Sequence, residues 1–167
     1  MKATLKLNGK EYEVEVPEEM AKDLEKPKKT GYERAETGSS YFIDCGDKHI
    51  EPYIEQGDPT DDTFYDIANY YSDKTVAQNN GRADTLMRKL RRFAVEHREE
   101  ELNWAKSHTC KSSIYYDHGD KALYTTDNQV HQNFGSIYFD TEETAKAAIE
   151  EFKDELIWYF TEYRDSL

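Results

Sequence analysis

A chain of 167 residues with 35 acidic against 22 basic side chains, net −13, is a poor general ligand for nucleic-acid backbone or for an anionic bilayer. Its mean hydropathy of −1.00 approaches that of disordered chains. Disorder is excluded by 13 Tyr, 7 Phe and 2 Trp, which supply the apolar area of a core with polar tips.

A chain of this length buries roughly 70% of its unfolded surface, enough for one domain or two small modules sharing a core. Cys45 and Cys110 make no disulfide framework and suit a reducing compartment. No apolar run approaches a membrane span, and no signal-peptide pattern follows Met1. The expected localisation is cytoplasmic, with no membrane partner.

Leu5 and Leu7, then Asn8-Gly9, then Tyr12, Val14 and Val16 alternate on either side of a two-residue turn, the pattern of a β-hairpin. Pro17 with Glu18 and Glu19 opens a short helix to about residue 25, and residues 26–40 read as a linker. The chain then uses one phrase twice. Tyr41-Phe42-Ile43-Asp44-Cys45-Gly46-Asp47-Lys48 returns as Ile114-Tyr115-Tyr116-Asp117-His118-Gly119-Asp120-Lys121. A second pair follows: Ala68-Asn69-Tyr70-Tyr71-Ser72-Asp73 is answered by Ser136-Ile137-Tyr138-Phe139-Asp140-Thr141. The pattern is that of an internal duplication.

In the first copy, residues 41–44 and 49–54 read as a hairpin, 57–62 as an acidic loop and 64–71 as a third strand. A helix capped by Ser72 or Asp73 follows, weakened near Gly81 and secure over 83–103. In the second, strands at 113–117, 121–125 and 134–139 lead to a helix capped by Asp140 or Thr141. The expected fold is α+β: an N-terminal β-hairpin plus two similar repeats, each an antiparallel three-stranded sheet with a helix. The units are 1–37 (hairpin, helix and linker), 38–106 (repeat one with a long basic helix) and 107–167 (repeat two with an acidic C-terminal helix).

Asp44, Asp47, Asp117 and Asp120 recur at matching places, where tight-turn chemistry outweighs a metal site. Cys45, His49, His108 and Cys110 have a loose zinc look without the regular spacing of structural sites. Whether they meet is open, and no metal or cofactor is expected. His97 falls on the apolar stripe of its helix, where a satisfied core histidine is the simpler reading. No nucleophile elbow, phosphate loop, zincin helix or dinucleotide fingerprint occurs, so the chain reads as a non-enzyme.

Charge is the remaining signal. Residues 44–73 hold nine acids and one base, net −8, and residues 140–165 hold nine acids and three bases, net −6. Residues 82–98 hold six bases and two acids, net +4. Two surfaces follow: an acidic one that includes Asp58, Asp61, Asp62 and Asp66, suited to a basic groove on another protein, and a basic one of Arg88, Lys89, Arg91 and Arg92, suited to a partner or to nucleic-acid phosphates. Against both stands the plain reading of solvated faces.

The junctions Tyr70-Tyr71-Ser72-Asp73 and Tyr138-Phe139-Asp140-Thr141-Glu142-Glu143-Thr144-Ala145 carry a resemblance, together with Leu90-Arg91-Arg92-Phe93-Ala94 and the ending Trp158-Tyr159-Phe160-Thr161-Glu162-Tyr163. Over nearly its whole length the chain resembles small proteins carried by phages, prophages and mobile elements of Firmicutes. It departs where Ser72-Asp73-Lys74-Thr75 stands in place of the family's glutamates. The resemblance implies an accessory gene of a mobile element, a setting in which short acidic proteins often inhibit host defence, anti-CRISPR proteins among them. The expected function is inhibition of a host nucleic-acid-handling defence enzyme by protein–protein binding through the acidic surface. The alternatives are a nucleic-acid-associated accessory factor using the basic helix, or a plain interaction module binding through exposed Tyr and Trp.

Overall fold

The computed structural model describes residues 2–7, 10–15, 17, 29–46, 48–106, 109–127 and 130–163. The expected hairpin is present. β1 (Lys2–Leu7) pairs antiparallel with β2 (Lys10–Glu15), Leu5 opposite Tyr12, and among the described residues the two join no other strand. The Asn8-Gly9 turn and the helix expected over 18–25 lie outside the described residues.

The duplicated phrase builds the same object twice. β3 (Ser40–Asp44) pairs with β4 (Ile50–Ile54), and β5 (Ser112–Asp117) with β6 (Ala122–Asp127), all antiparallel. In both turns the aspartate closing the first strand accepts from the glycine two residues on: Asp44 Oδ1 from Gly46 N–H at 2.8 Å, Asp117 Oδ1 from Gly119 N–H at 2.7 Å. In both, the lysine that ends the phrase is left-handed, Lys48 at φ +64° and Lys121 at φ +55°. These aspartates are turn-builders, as their spacing suggested.

The three-stranded sheets are corrected: each sheet has two strands. The third strand shrinks to one bridge, Phe42 with Tyr71 in the first copy and Ser112 with Phe139 in the second. The reason in repeat one is local. Asp58 accepts from Thr60 and Asp61 N–H in a full capping box, and Pro59 stands at the start, so 59–66 folds as helix α1 (Pro59–Asp66) rather than as loop and strand. In repeat two, a turn at 134–135 with Gly135 at φ +78° leaves only Phe139 to pair. The bridges also differ in register: Phe42 stands two residues before its turn aspartate, Ser112 five before. The duplication survives in the hairpins and is lost where the third element meets them.

Helix α2 (Lys74–Glu96) starts on Asp73, which accepts from Thr75 and Val76 N–H. It runs unbroken through Gly81, because that glycine lies against β3: a Cβ there would stand 2.8 Å from Asp44 Oδ2. It stops at His97, short of the expected 103, where Asp140 Oδ2 instead holds the Glu99 and Glu100 N–H groups of the following loop. Thr141 caps α3 (Glu142–Glu151). The stripe then breaks at Phe152 into α4 (Lys153–Trp158) and a π-helical turn, Tyr159–Tyr163.

Two cores result. The larger joins α2, α3 and α4 through Leu86, Leu90, Phe93, Phe139, Ile149 and Leu156. The helix of repeat one therefore packs against repeat two. The smaller core gathers Tyr41, Ile43 and Tyr70 beside α1.

Candidate functional site

The acidic segment is two things at once. Asp61, expected on the surface, is 3% exposed and belongs to the small core. Its Oδ1 accepts from Tyr41 O–H at 2.8 Å, and its Oδ2 from the N–H groups of Gln56, Gly57 and Asp58. Those donors, Gln56 first, hold its carboxyl below the ordinary range against the opposing effect of burial. Glu55, 2% exposed, is its counterpart. Arg34 grips Glu55 with two N–H groups at 3.1 and 3.0 Å, and Tyr70 O–H donates at 2.7 Å. Arg34, then Tyr70, lower its pKa.

The tyrosines respond in the opposite sense. Burial first, then the bond to Glu55, pushes Tyr70 up to about 12, and Tyr41 rises by burial and its bond to Asp61. Asp58 is spent on the cap of α1. Of the four expected contact aspartates, Asp62 and Asp66 are exposed, and Asp62 pairs with Arg34 at 2.7 Å. The sequence showed the acids; it could not separate the buried carboxylates from the exposed ones. A clue lay in Asp58-Pro59-Thr60-Asp61, a capping-box pattern with Pro at the first helical position.

The basic run behaves as expected of a helix face. Arg88, Lys89, Arg91 and Arg92 are all exposed on α2. Arg92 approaches Glu96 only at 3.9 Å, and among the described residues no ion pair engages Lys89 or Arg91. Arg82 is engaged within the chain at a half-exposed position: it pairs with Glu155 at 2.8 Å and its guanidinium lies 3.8 Å from the centre of the Trp158 ring.

The cysteine and histidine set does not form a centre among the described residues. Cys45 and His49 share the β3–β4 turn, where His49 bonds Glu51 at 3.0 Å. Cys110 precedes β5, its thiol pushed up by burial and then by Asp127. His108 lies outside the described residues. No group of three His, Cys, Asp or Glu there is arranged to hold a metal ion. His97 stacks on Phe93 at 3.9 Å with Nδ1 at 3.0 Å from the Phe93 carbonyl, a satisfied histidine, although its surface is exposed.

Two concavities went unnoticed in the sequence. A polar recess of about 400 Å³ lies at the start of α2, where Asn80 links the hydroxyls of Tyr32 and Tyr163 at 2.8 Å each. An apolar cleft of about 560 Å³ opens on the larger core, floored by Leu86, Leu90 and Phe139 and walled by Ile137 and Phe160. Phe134 stands on its rim, wholly exposed. The sequence signal was a lone aromatic in the polar stretch Val130-His131-Gln132-Asn133-Phe134-Gly135.

No family model, no curated protein and no solved structure matches this chain. Among the described residues no helix is long and apolar enough to cross a membrane.

Proposed function

We propose that this chain is a non-catalytic binding protein of a mobile element, acting on a host nucleic-acid-handling defence enzyme through its acidic surface. One observation carries the reading. α1, α2 and α3 each end on an acid (Asp66, Glu96 and Glu151), and none of the three has a base in its last turn. The C-terminal end of a helix is its negative pole, where a carboxylate is unfavourable by about 0.3–1 kcal/mol. Solubility alone could be met by acids elsewhere; acids held against local preference are what a contact surface retains. Asp66 on α1 and Glu150 and Glu151 on α3 are exposed carboxylates of this kind; Asp62, Glu143 and Asp154 are exposed too, but stand in first turns, where the dipole favours them.

The test is retention from nuclease-treated bacterial lysate by the tagged chain and by an Asp66→Lys, Glu150→Lys, Glu151→Lys variant. The expected result is a basic nucleic-acid-handling enzyme held by the first, lost by the second, and released as salt rises. Binding that survives the reversals overturns the reading. Asp61 is unsuitable for this test because reversing it would break the small core.

A second reading keeps a specific support, the exposed stripe Arg88, Lys89, Arg91 and Arg92. If retention requires intact nucleic acid and fails on Arg91→Ala with Arg92→Ala, that face is the working surface.

A further inference from the structure

We propose that the stretch between α2 and β5, described over 98–106 and 109–111, is a latched strap that opens as a unit while both cores stay folded. Its latches are two buried, opposite charges, Asp140 and Lys111.

The strap owes little to burial. Of residues 98–106 only Leu102 and Trp104 are half-buried, and the rest are exposed. Among the described residues, the hydrogen bonds that tie 98–106 to the rest of the fold come from the two charges. At the start, Asp140 Oδ2 accepts from the N–H groups of Glu99 at 2.6 Å and Glu100 at 3.0 Å. At the end, Lys111 Nζ donates to the Lys106 carbonyl at 2.8 Å, and to the carbonyl and hydroxyl of Thr109. Trp104 sits between them, its ring 5.4 Å from Lys111 Nζ and 4.9 Å from the Tyr138 ring. A segment with so few buried contacts opens at less than the cost of global unfolding.

The latches are unusual for buried charges, which are normally paired. Lys111 is 0% exposed and Asp140 7%, yet each is held by backbone dipoles of the strap in place of an opposite charge. Asp140 also keeps an oxygen in reserve, because its Oδ1 is buried with no hydrogen-bond partner. The mutual backbone bonds of Ser112 and Phe139 set Lys111 and Asp140 one residue beyond the same bridge, on either chain. An opening that takes away the strap's carbonyls and N–H groups leaves each charge the other to turn to. That exchange lowers the cost of the open state, in which Trp104 parts from Tyr138 and both rings are exposed.

The experiment is amide hydrogen exchange of the full chain followed by NMR, with tryptic cleavage after Lys106 as a second reading. The Glu99 and Glu100 N–H groups report the Asp140 latch, and Leu90 in α2 reports the core. In the native chain Glu99 and Glu100 should be protected, yet exchange much faster than Leu90. Lys111→Met keeps an unbranched side chain and removes the ammonium at the far end of the strap. It should speed exchange at Glu99 and Glu100 about tenfold or more, the effect of losing charge-assisted bonds, and change Leu90 less. The Lys106 carbonyl is the one trypsin attacks and the one Lys111 holds, so the variant should be cut there where the native chain resists. Asp140→Asn should bring about the same cleavage from the opposite end. If Glu99 and Glu100 exchange in step with Leu90 in the native chain, the strap opens only with the whole fold and the proposal is overturned. Unchanged exchange at Glu99 and Glu100 in Lys111→Met overturns it as well, since the two charges then hold no common unit.

Discussion

The halves of this chain begin from the same phrase and solve burial differently. In the half built on β3 and β4, the core is made of tyrosines whose hydroxyls satisfy buried carboxylates: Tyr41 with Asp61, Tyr70 with Glu55. The two rings stack at 3.9 Å, so the apolar faces bury each other while the tips are wired to charge. In the half built on β5, β6, α3 and α4, the core is Leu, Ile, Ala and Phe with no such wiring. The first kind of core is directional, and every member depends on its partner. The second is governed by volume and tolerates more.

The largest expected effects compare the cores directly. Tyr41→Ala removes a fully buried ring and leaves Asp61 without its hydroxyl donor, so a loss of about 3–5 kcal/mol is expected. Leu86→Ala, 2% exposed in the larger core, should cost about 2–5 kcal/mol. Urea unfolding measures both. If Tyr41→Phe, which keeps the ring and deletes the hydroxyl, costs nothing, the hydroxyl adds nothing and the contrast between the cores falls.

Tyr70→Phe isolates the wiring from the volume. It keeps the ring and deletes one hydroxyl that donates to Glu55 and accepts from Ala35 N–H at 3.0 Å. A loss of about 1–3 kcal/mol is expected from the groups left short of a partner.

The same wiring gives the tyrosine half a pH window at each end. Glu55 and Asp61 have lowered folded-state pKa values, so their contribution is present above about 4 and is lost as pH falls through the folded values. Tyr70 is raised to about 12, so its contribution is present below about 10 and is lost as pH rises toward 12. Near-ultraviolet circular dichroism of the tyrosines should therefore change at both extremes in the native chain. In Tyr70→Phe the alkaline change should shrink.

How much of this was legible follows from what each element depends on. Hairpins and helix starts rest on local chemistry, so the repeated Asp-x-Gly-Asp-Lys could be read directly and each cap narrowed to two neighbours, Ser72 or Asp73 and Asp140 or Thr141, of which Asp73 and Thr141 serve. The strand expected over 64–71 gives way at its start to helix α1, because the Asp58-Pro59 capping signal outweighs the β-preference of its aromatics. Gly81 suggested a helix break, but its missing Cβ is required by Asp44 from another element, a relation no local rule contains. Lys111 is a harder case. It is fully buried, its ammonium donating to the carbonyls of Lys106 and Thr109 and to the Thr109 hydroxyl at 2.8 Å each. Nothing in its neighbours predicts a caged lysine. The acidic surface was legible as charge and illegible as geometry, since whether a carboxylate is spent inside depends on which donors the fold brings to it.

Smaller effects separate the acids of α1 by role. Asp58→Ala removes the cap and its two N–H partners and should cost about 1 kcal/mol, read from the thermal midpoint. Asp66 is expected to act in the opposite direction. It ends α1 at the pole that repels it and is exposed. Asp66→Asn should therefore raise stability by about 0.3–1 kcal/mol while weakening any contact made through the acidic face. Two acids eight residues apart would then have opposite signs, one holding the helix and the other opposing it. If Asp66→Asn instead lowers the thermal midpoint, that carboxylate is serving the fold, and the case that these helix ends keep acids for a partner loses its main support.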